Sequence, residues 1–150
     1  MYMERFTAFT VNLANVERNL QKIKSKKMAE YGLRSTHLMC MIKIYTTNGG
    51  LTPTELARVC AIDKAFVSRI SADLVERGLI EFDKNITDGR KYKNKYVLTD
   101  SGVKILDEIT NIINDVISGI DSDITQEELK CFYKVLDTIN STINATVDKI

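Results

Sequence analysis

Between residues 3 and 27, apolar side chains recur at Phe6, Phe9, Leu13, Val16, Leu20 and Ile23, alternately three and four residues apart. That rhythm predicts a helix with a narrow apolar seam, of the kind one helix presents to another. The opposite face is polar, with Asn12, Glu17, Arg18, Gln21 and Lys22. A second helix is predicted after Arg34, capped by Ser35 or Thr36, carrying Leu38, Met41, Ile42 and Tyr45, and stopped by Asn48-Gly49-Gly50. Leu51-Thr52-Pro53-Thr54-Glu55-Leu56 then holds several start signals for a third. Thr52 caps, Pro53 takes the first helical position, Glu55 closes a capping box, and Leu51 and Leu56 form a hydrophobic staple.

This third helix is short, ending near Cys60, and only Ala61 and Ile62 separate it from Asp63, an N-cap for a fourth. The fourth helix turns Val67, Ile70 and Leu74 inward and stops at Gly78. From Leu79 to Lys84 the period changes to two, with Ile80 and Phe82 on one face. A turn-rich stretch, Asn85 to Arg90, leads into a second alternating run ending at Tyr96 and Leu98. Thr99 caps a long helix with a broad stripe: Ile105, Ile109, Ile112, Val116 and Ile120, widened by Leu106, Ile113 and Ile117. That width predicts burial on two sides. After Asp121-Ser122-Asp123, the stretch Ile124 to Leu129 repeats the box-and-staple pattern. The last helix shows a second narrow seam at Leu129, Phe132, Leu136, Ile139, Ile143, Val147 and Ile150.

Two helices joined by a tight turn and followed by a hairpin with a basic tip make a winged helix-turn-helix. The expected fold is therefore mainly α with a small β-hairpin. Residues 35–98 are expected to form the DNA-binding region. Residues 1–34 and 99–150 supply N- and C-terminal helices whose seams (Phe6, Phe9, Leu13, Val16, Leu20; Leu129, Phe132, Leu136, Ile139, Ile143, Val147) are expected to join two copies of the chain.

Charge sharpens this picture. The formal net charge of +1 conceals a basic stretch: residues 84 to 95 hold Lys84, Arg90, Lys91, Lys93 and Lys95 against Asp88 alone. Residues 1 to 34 are also basic, and residues 99 to 150 hold ten acidic against four basic side chains. A neutral whole with a concentrated basic segment suits contact with phosphates at one place.

In the fourth helix, Lys64, Ala65, Ser68 and Arg69, with Ser71, are the outward positions of the half that would enter a major groove. Arg69 is long and planar enough to bond a guanine or a phosphate, or else it pairs with Asp73 on a solvated face. Ser35, Thr36 and Thr52 lie at helix N-termini, where N–H groups favour phosphate, although each could simply cap. Arg90 is the candidate minor-groove or phosphate residue of the hairpin, with Asp88 placed to aim it and Lys91, Lys93 and Lys95 in support.

Other chemistry finds little footing. His37 is the single histidine, and with Cys40 it could supply only half a metal site, so neither metal nor cofactor is expected. No phosphate loop, nucleophile elbow or paired carboxylates suggest an enzyme. Cys40, Cys60 and Cys131, odd in number and each among apolar neighbours, are expected to be free and buried. No secretory or membrane-spanning pattern appears, so a cytoplasmic protein is expected.

The stretches Leu51 to Ala57, Val67-Ser68-Arg69, Leu74 to Ile80, Asp88-Gly89-Arg90 and Leu98-Thr99-Asp100-Ser101-Gly102 together resemble the MarR family (multiple antibiotic resistance regulators). The wing is richer in lysine than in many members. The resemblance implies a homodimeric regulator, expected to be a repressor, on a palindromic double-stranded operator. It also implies release by a small, often phenolic, ligand or by thiol oxidation. Neither Cys40 nor Cys60 sits in a setting that would activate a thiol, which favours the ligand. A winged helix used for protein–protein contact, as in an antirepressor, is the other class. It predicts an acidic or apolar recognition helix and a wing without basic residues.

Overall fold

A computed structural model describes residues 1–84 and 94–150. The chain divides into two compact units, Met1–Ile109 and Thr110–Ile150.

The first unit begins with α1 (Tyr2–Glu30), a helix of 29 residues in which Met28 alone is buried. It stops where Gly32 adopts φ +65° and Leu33 N–H donates to the Met28 carbonyl at 2.9 Å. Helix α2 (Ser35–Thr46) follows. Its N-cap is Arg34 rather than Ser35 or Thr36, both of which are already helical. The Arg34 N–H is met by Nδ1 of His37, three residues on, at 3.0 Å, so the His37 side chain fills the reciprocal half of a capping box, the place of a Glu or Gln.

Helix α3 (Pro53–Cys60) starts as its sequence dictates. Thr52 Oγ1 accepts from Glu55 N–H at 3.2 Å, and Thr52 N–H donates to Glu55 Oε2 at 2.9 Å. The turn into α4 (Lys64–Glu76) has no glycine, and Ala61 takes the left-handed conformation instead (φ 52°, ψ 40°). Asp63 Oδ2 accepts from Phe66 N–H at 3.0 Å and opens α4. Gly78, at φ +67°, closes it.

Strands β1 (Ile80–Phe82) and β2 (Tyr96–Leu98) pair antiparallel, with Ile80 opposite Leu98 and Phe82 opposite Tyr96. The rings of Phe82 and Tyr96 stack with centroids 4.6 Å apart. Leu51 adds a third, one-residue edge: its N–H donates to the Tyr96 carbonyl at 3.2 Å and its carbonyl accepts from Tyr96 N–H at 2.7 Å. Gly50 permits this approach, because a Cβ there would lie 2.1 Å from the Tyr96 oxygen.

Helix α5 (Asp100–Asp121) is capped by Thr99, whose Oγ1 accepts from Gly102 N–H (3.2 Å) and donates to the Gly78 carbonyl (2.6 Å). The core gathers Met28, Leu38, Met41, Leu56, Val67, Leu74 and Ile80, each at most 2% exposed. Each such side chain contributes about 1.5–3 kcal/mol on burial. The α5 stripe enters the core at Ile105, Leu106 and Ile109. Its expected two-sided burial does not extend along the helix: Val116, Ile117 and Ile120 are 39–49% exposed. Within the second unit, α6 (Gln126–Val147) is opened by Thr125 and Glu128, the predicted capping box, and buries none of its side chains.

Candidate nucleic-acid interface

Helix α4 presents two faces of different chemistry. Val67, Ile70 and Leu74 are buried, while Lys64, Ala65, Ser68 and Arg69 are exposed together toward its N-terminal half. Small Ala65 and Ser68 leave the backbone approachable between two long cations. The Arg69 guanidinium lies 5.7 Å from the Phe66 ring centroid. The alternative expected for Arg69, a pair with Asp73, does not form, because Asp73 binds Arg77 (2.8 Å) and His37 (2.9 Å) instead.

Ser71 belongs to the other face. It is 1% exposed, packed in the core, and so cannot be a reading residue. Position 71 lies four residues after Val67 and three before Leu74, in the middle of the apolar stripe, and helical geometry outweighs its polarity. Its hydroxyl lies beside the Tyr96 phenol, which burial pushes above its ordinary pKa.

At the helix starts, Ser35 is exposed and Thr52 half-buried. The Thr52 hydroxyl and N–H are both engaged by Glu55, which these bonds hold below the ordinary carboxylate range. Thr36 is half-buried and its Oγ1 is shielded from solvent without a protein partner. Ser35 and Thr36 line a cleft of about 270 Å³ between α1 and α2, together with Gln21, Lys24, Leu38 and Lys43. Asp88, Arg90, Lys91 and Lys93 lie outside the described residues. Lys95, at the base of the hairpin, is half-buried, its charge helping to hold Glu55 ionised and its carbonyl accepting from Asp83 N–H at 2.8 Å.

His37 takes no part in a metal pair with Cys40. It is 5% exposed and spends both ring nitrogens on Arg34 and Asp73. Among the described residues no cluster of three or more His, Cys, Asp or Glu side chains could hold a metal ion. The His37–Asp73 bond has no signature in the sequence, since its partners are 36 residues apart.

Cys40 and Cys60 are buried and free, with their sulfurs 3.9 Å apart. Burial, then the neighbouring Cys60, pushes the Cys40 thiol up to about 12, and burial raises Cys60 as well. Cys131, expected to be buried, is exposed on α6; it falls between the seam positions Leu129 and Phe132 and points away from them.

The seam residues remain largely uncovered in the single chain. On α1, Phe6, Leu13 and Val16 are 48–58% exposed, with Phe9 and Leu20 half-buried. On α6, Phe132, Ile143 and Val147 are 46–61% exposed, with Leu129, Leu136 and Ile139 half-buried. No helix among the described residues is long and apolar enough to cross a membrane.

Comparison with known proteins agrees with this geometry. Residues 31–91 match the sequence profile of the MarR family. The chain is 32% identical over 96 residues to the HTH-type transcriptional regulator TcaR of Staphylococcus aureus (strain Newman), covering 62% of each chain. It is 25% identical over 101 residues to the uncharacterized HTH-type transcriptional regulator YdgG of Bacillus subtilis (strain 168), covering 67% of this chain and 66% of that one. The aligned part thus spans somewhat under two thirds of these curated relatives. In fold, the chain is similar to the MarR family transcription regulator SP03579 (TM-score 0.79, 18% identity, 100% and 99% of the two chains). It is also similar to Staphylococcus aureus MarR in complex with salicylate and kanamycin (TM-score 0.73, 15% identity, 95% and 94%). A third likeness is to a mutant of S. aureus MepR bound to oligodeoxyribonucleotide (TM-score 0.65, 18% identity, 90% and 97%). With its helix-turn-helix, paired hairpin strands and flanking helices in this order, the chain is similar in fold to MarR family regulators, and its residues 31–91 match that family's profile.

Proposed function

We propose that this protein is a transcriptional regulator, acting as a repressor, that binds a palindromic double-stranded operator as a homodimer. One observation carries the reading: Lys64, Ala65, Ser68 and Arg69 stand exposed on one face of α4 while its other face is locked into the core. Two copies of that helix would enter successive major grooves about 34 Å apart. Ser35 and Thr52 would meet phosphates at helix starts, with the Thr36 N–H beside them, and Asp88, Arg90, Lys91, Lys93 and Lys95 would form the basic wing. The uncovered seams of α1 and α6 supply the apolar surface that a dimer needs.

We assign the effector, a small organic molecule, to the cleft between α1 and α2. Its lining combines apolar Leu38 with Lys24, Lys43 and Gln21, a mixture suited to a ligand with one polar end. Binding there would favour a dimer whose reading helices are out of register with the operator. The cations of α4 weigh against a protein–protein module, which calls for an acidic or apolar recognition helix. The burial of Cys40 and Cys60, which pushes both thiols up, weighs against thiol oxidation as the signal.

The test is a gel shift with the DNA upstream of the protein's own gene. Arg69→Ala should weaken binding at specific sequences, and Arg90→Ala should weaken it more uniformly, lowering the salt slope by about 1. Undiminished binding by the double variant would overturn the site.

A further inference from the structure

A chain of directed polar contacts ties the proposed reading helix to the rest of the first unit, and the DNA face makes no use of it. It begins at Asp73 on α4. Oδ2 accepts from His37 Nε2 of α2 at 2.9 Å, and Oδ1 accepts from Arg77 Nε at 2.8 Å. The His37 tautomer follows from its other nitrogen: Nδ1 accepts the Arg34 N–H, so it carries no proton, and the ring proton sits on Nε2 facing Asp73. Arg77 then donates from its guanidinium to the Tyr31 carbonyl, at the end of α1, at 3.3 Å. The Tyr31 hydroxyl donates to Glu108 of α5, and Lys27 of α1 closes on the same carboxylate at 3.0 Å.

Four helices therefore meet through two carboxylates, each gripped from two sides. Arg77, then His37, holds Asp73 below its ordinary pKa; Tyr31, then Lys27, does the same for Glu108. Apolar contacts under α4 are non-directional and tolerate small rotations and slides of the helix. Hydrogen bonds to two partners through one carboxylate are not, since they weaken steeply with angle.

We infer that the Tyr31–Glu108 and His37–Asp73–Arg77 contacts form one positioning relay that sets the orientation of α4, so that Tyr31 and Glu108, which are absent from the reading face, control operator affinity. The inference rests on the DNA-binding reading above. Tyr31 and Asp73 act through other residues and touch no nucleic acid.

The experiment measures operator affinity, thermal midpoint and dimer dissociation for the full chain and for Tyr31→Phe, Asp73→Asn and the double variant. Ile105→Val serves as a core control outside the relay. Each single relay variant should weaken operator binding by about 3- to 10-fold with dimerisation unchanged. The double variant should lose no more than the larger single loss. Ile105→Val should bind like wild type even where its midpoint falls as far. In ¹⁵N spectra, the His37 Nε2–H signature of the wild type should change in Asp73→Asn. If wild type binds the operator and Tyr31→Phe binds equally, or if the two losses simply add, the relay is overturned while the DNA reading stands. Failure of the wild type to bind any upstream DNA overturns the DNA reading itself, and the relay's role with it.

Discussion

Gly102→Ala should be among the most damaging single-methyl changes in this protein. Gly102 lies in the first turn of α5, where an added Cβ would stand 2.2 Å from the Leu79 carbonyl oxygen and 2.5 Å from Leu98 Cδ2. The oxygen belongs to backbone at the entry to β1 and cannot rotate away. Relief needs α5 to back off by roughly 1 Å, taking with it the bonds from Thr99 to Gly78 (2.6 Å) and Leu79 (3.1 Å). Overpacking of this kind costs about 1–3 kcal/mol, and two strained hydrogen bonds add about 1 kcal/mol each. The helix-propensity gain of alanine over glycine, at most about 1 kcal/mol, offsets part of this. A net loss of about 2–4 kcal/mol lowers the midpoint of a chain this size by roughly 5–15 °C. Gly119→Ala, in the same helix, is the internal control: a Cβ there meets no described atom within 4 Å, so it should hold or raise the midpoint. The assay is paired thermal and urea unfolding of both variants. A Gly102→Ala midpoint within about 2 °C of wild type would refute the argument that this glycine is needed for backbone approach.

Three further outcomes follow from local chemistry. Ala61→Gly should raise stability by up to about 1 kcal/mol, because the left-handed turn between α3 and α4 strains a side-chain-bearing residue; a lower urea midpoint would contradict this. A thiol reagent added to native protein should label Cys131 first, with Cys40 and Cys60 reacting only on unfolding; mass mapping of early label on Cys40 would refute their burial. Asp73, Glu108, Glu55 and Glu128 are all held below the ordinary carboxylate range by their partners. Their contribution is complete above about pH 5 and is lost as pH falls below about 4 through the folded values. The thermal midpoint should be lower at pH 3 than at pH 6, and an equal midpoint would contradict the assignment.

Much of the architecture was legible because its signals are local. Thr52 with Glu55, Asp63 with Phe66, Thr99 with Gly102 and Thr125 with Glu128 satisfy helix ends within three residues, so the sequence alone marks where α3, α4, α5 and α6 begin. The change of period at Leu79 likewise announces the hairpin, and periodicity alone puts Lys64, Ala65, Ser68 and Arg69 on one face. The same arithmetic, applied without regard to polarity, would have placed Ser71 inside and Cys131 outside.

What the tertiary structure decided lies between residues far apart in the chain. Leu51 pairing with Tyr96, Gly102 pressing on Leu79, Cys40 facing Cys60 and His37 reaching Asp73 carry no local signature. Each exists only because helices and strands, once packed, bring particular atoms within bonding distance. The arrangement also took the cap of α2 from Ser35 and Thr36 and gave it to Arg34 and His37, a histidine held in place by its bond to α4. Composition and spacing thus determined which face of α4 is exposed. Only long-range contacts decided how that face is held, because the directed bonds that fix a helix's orientation come from its neighbours in space.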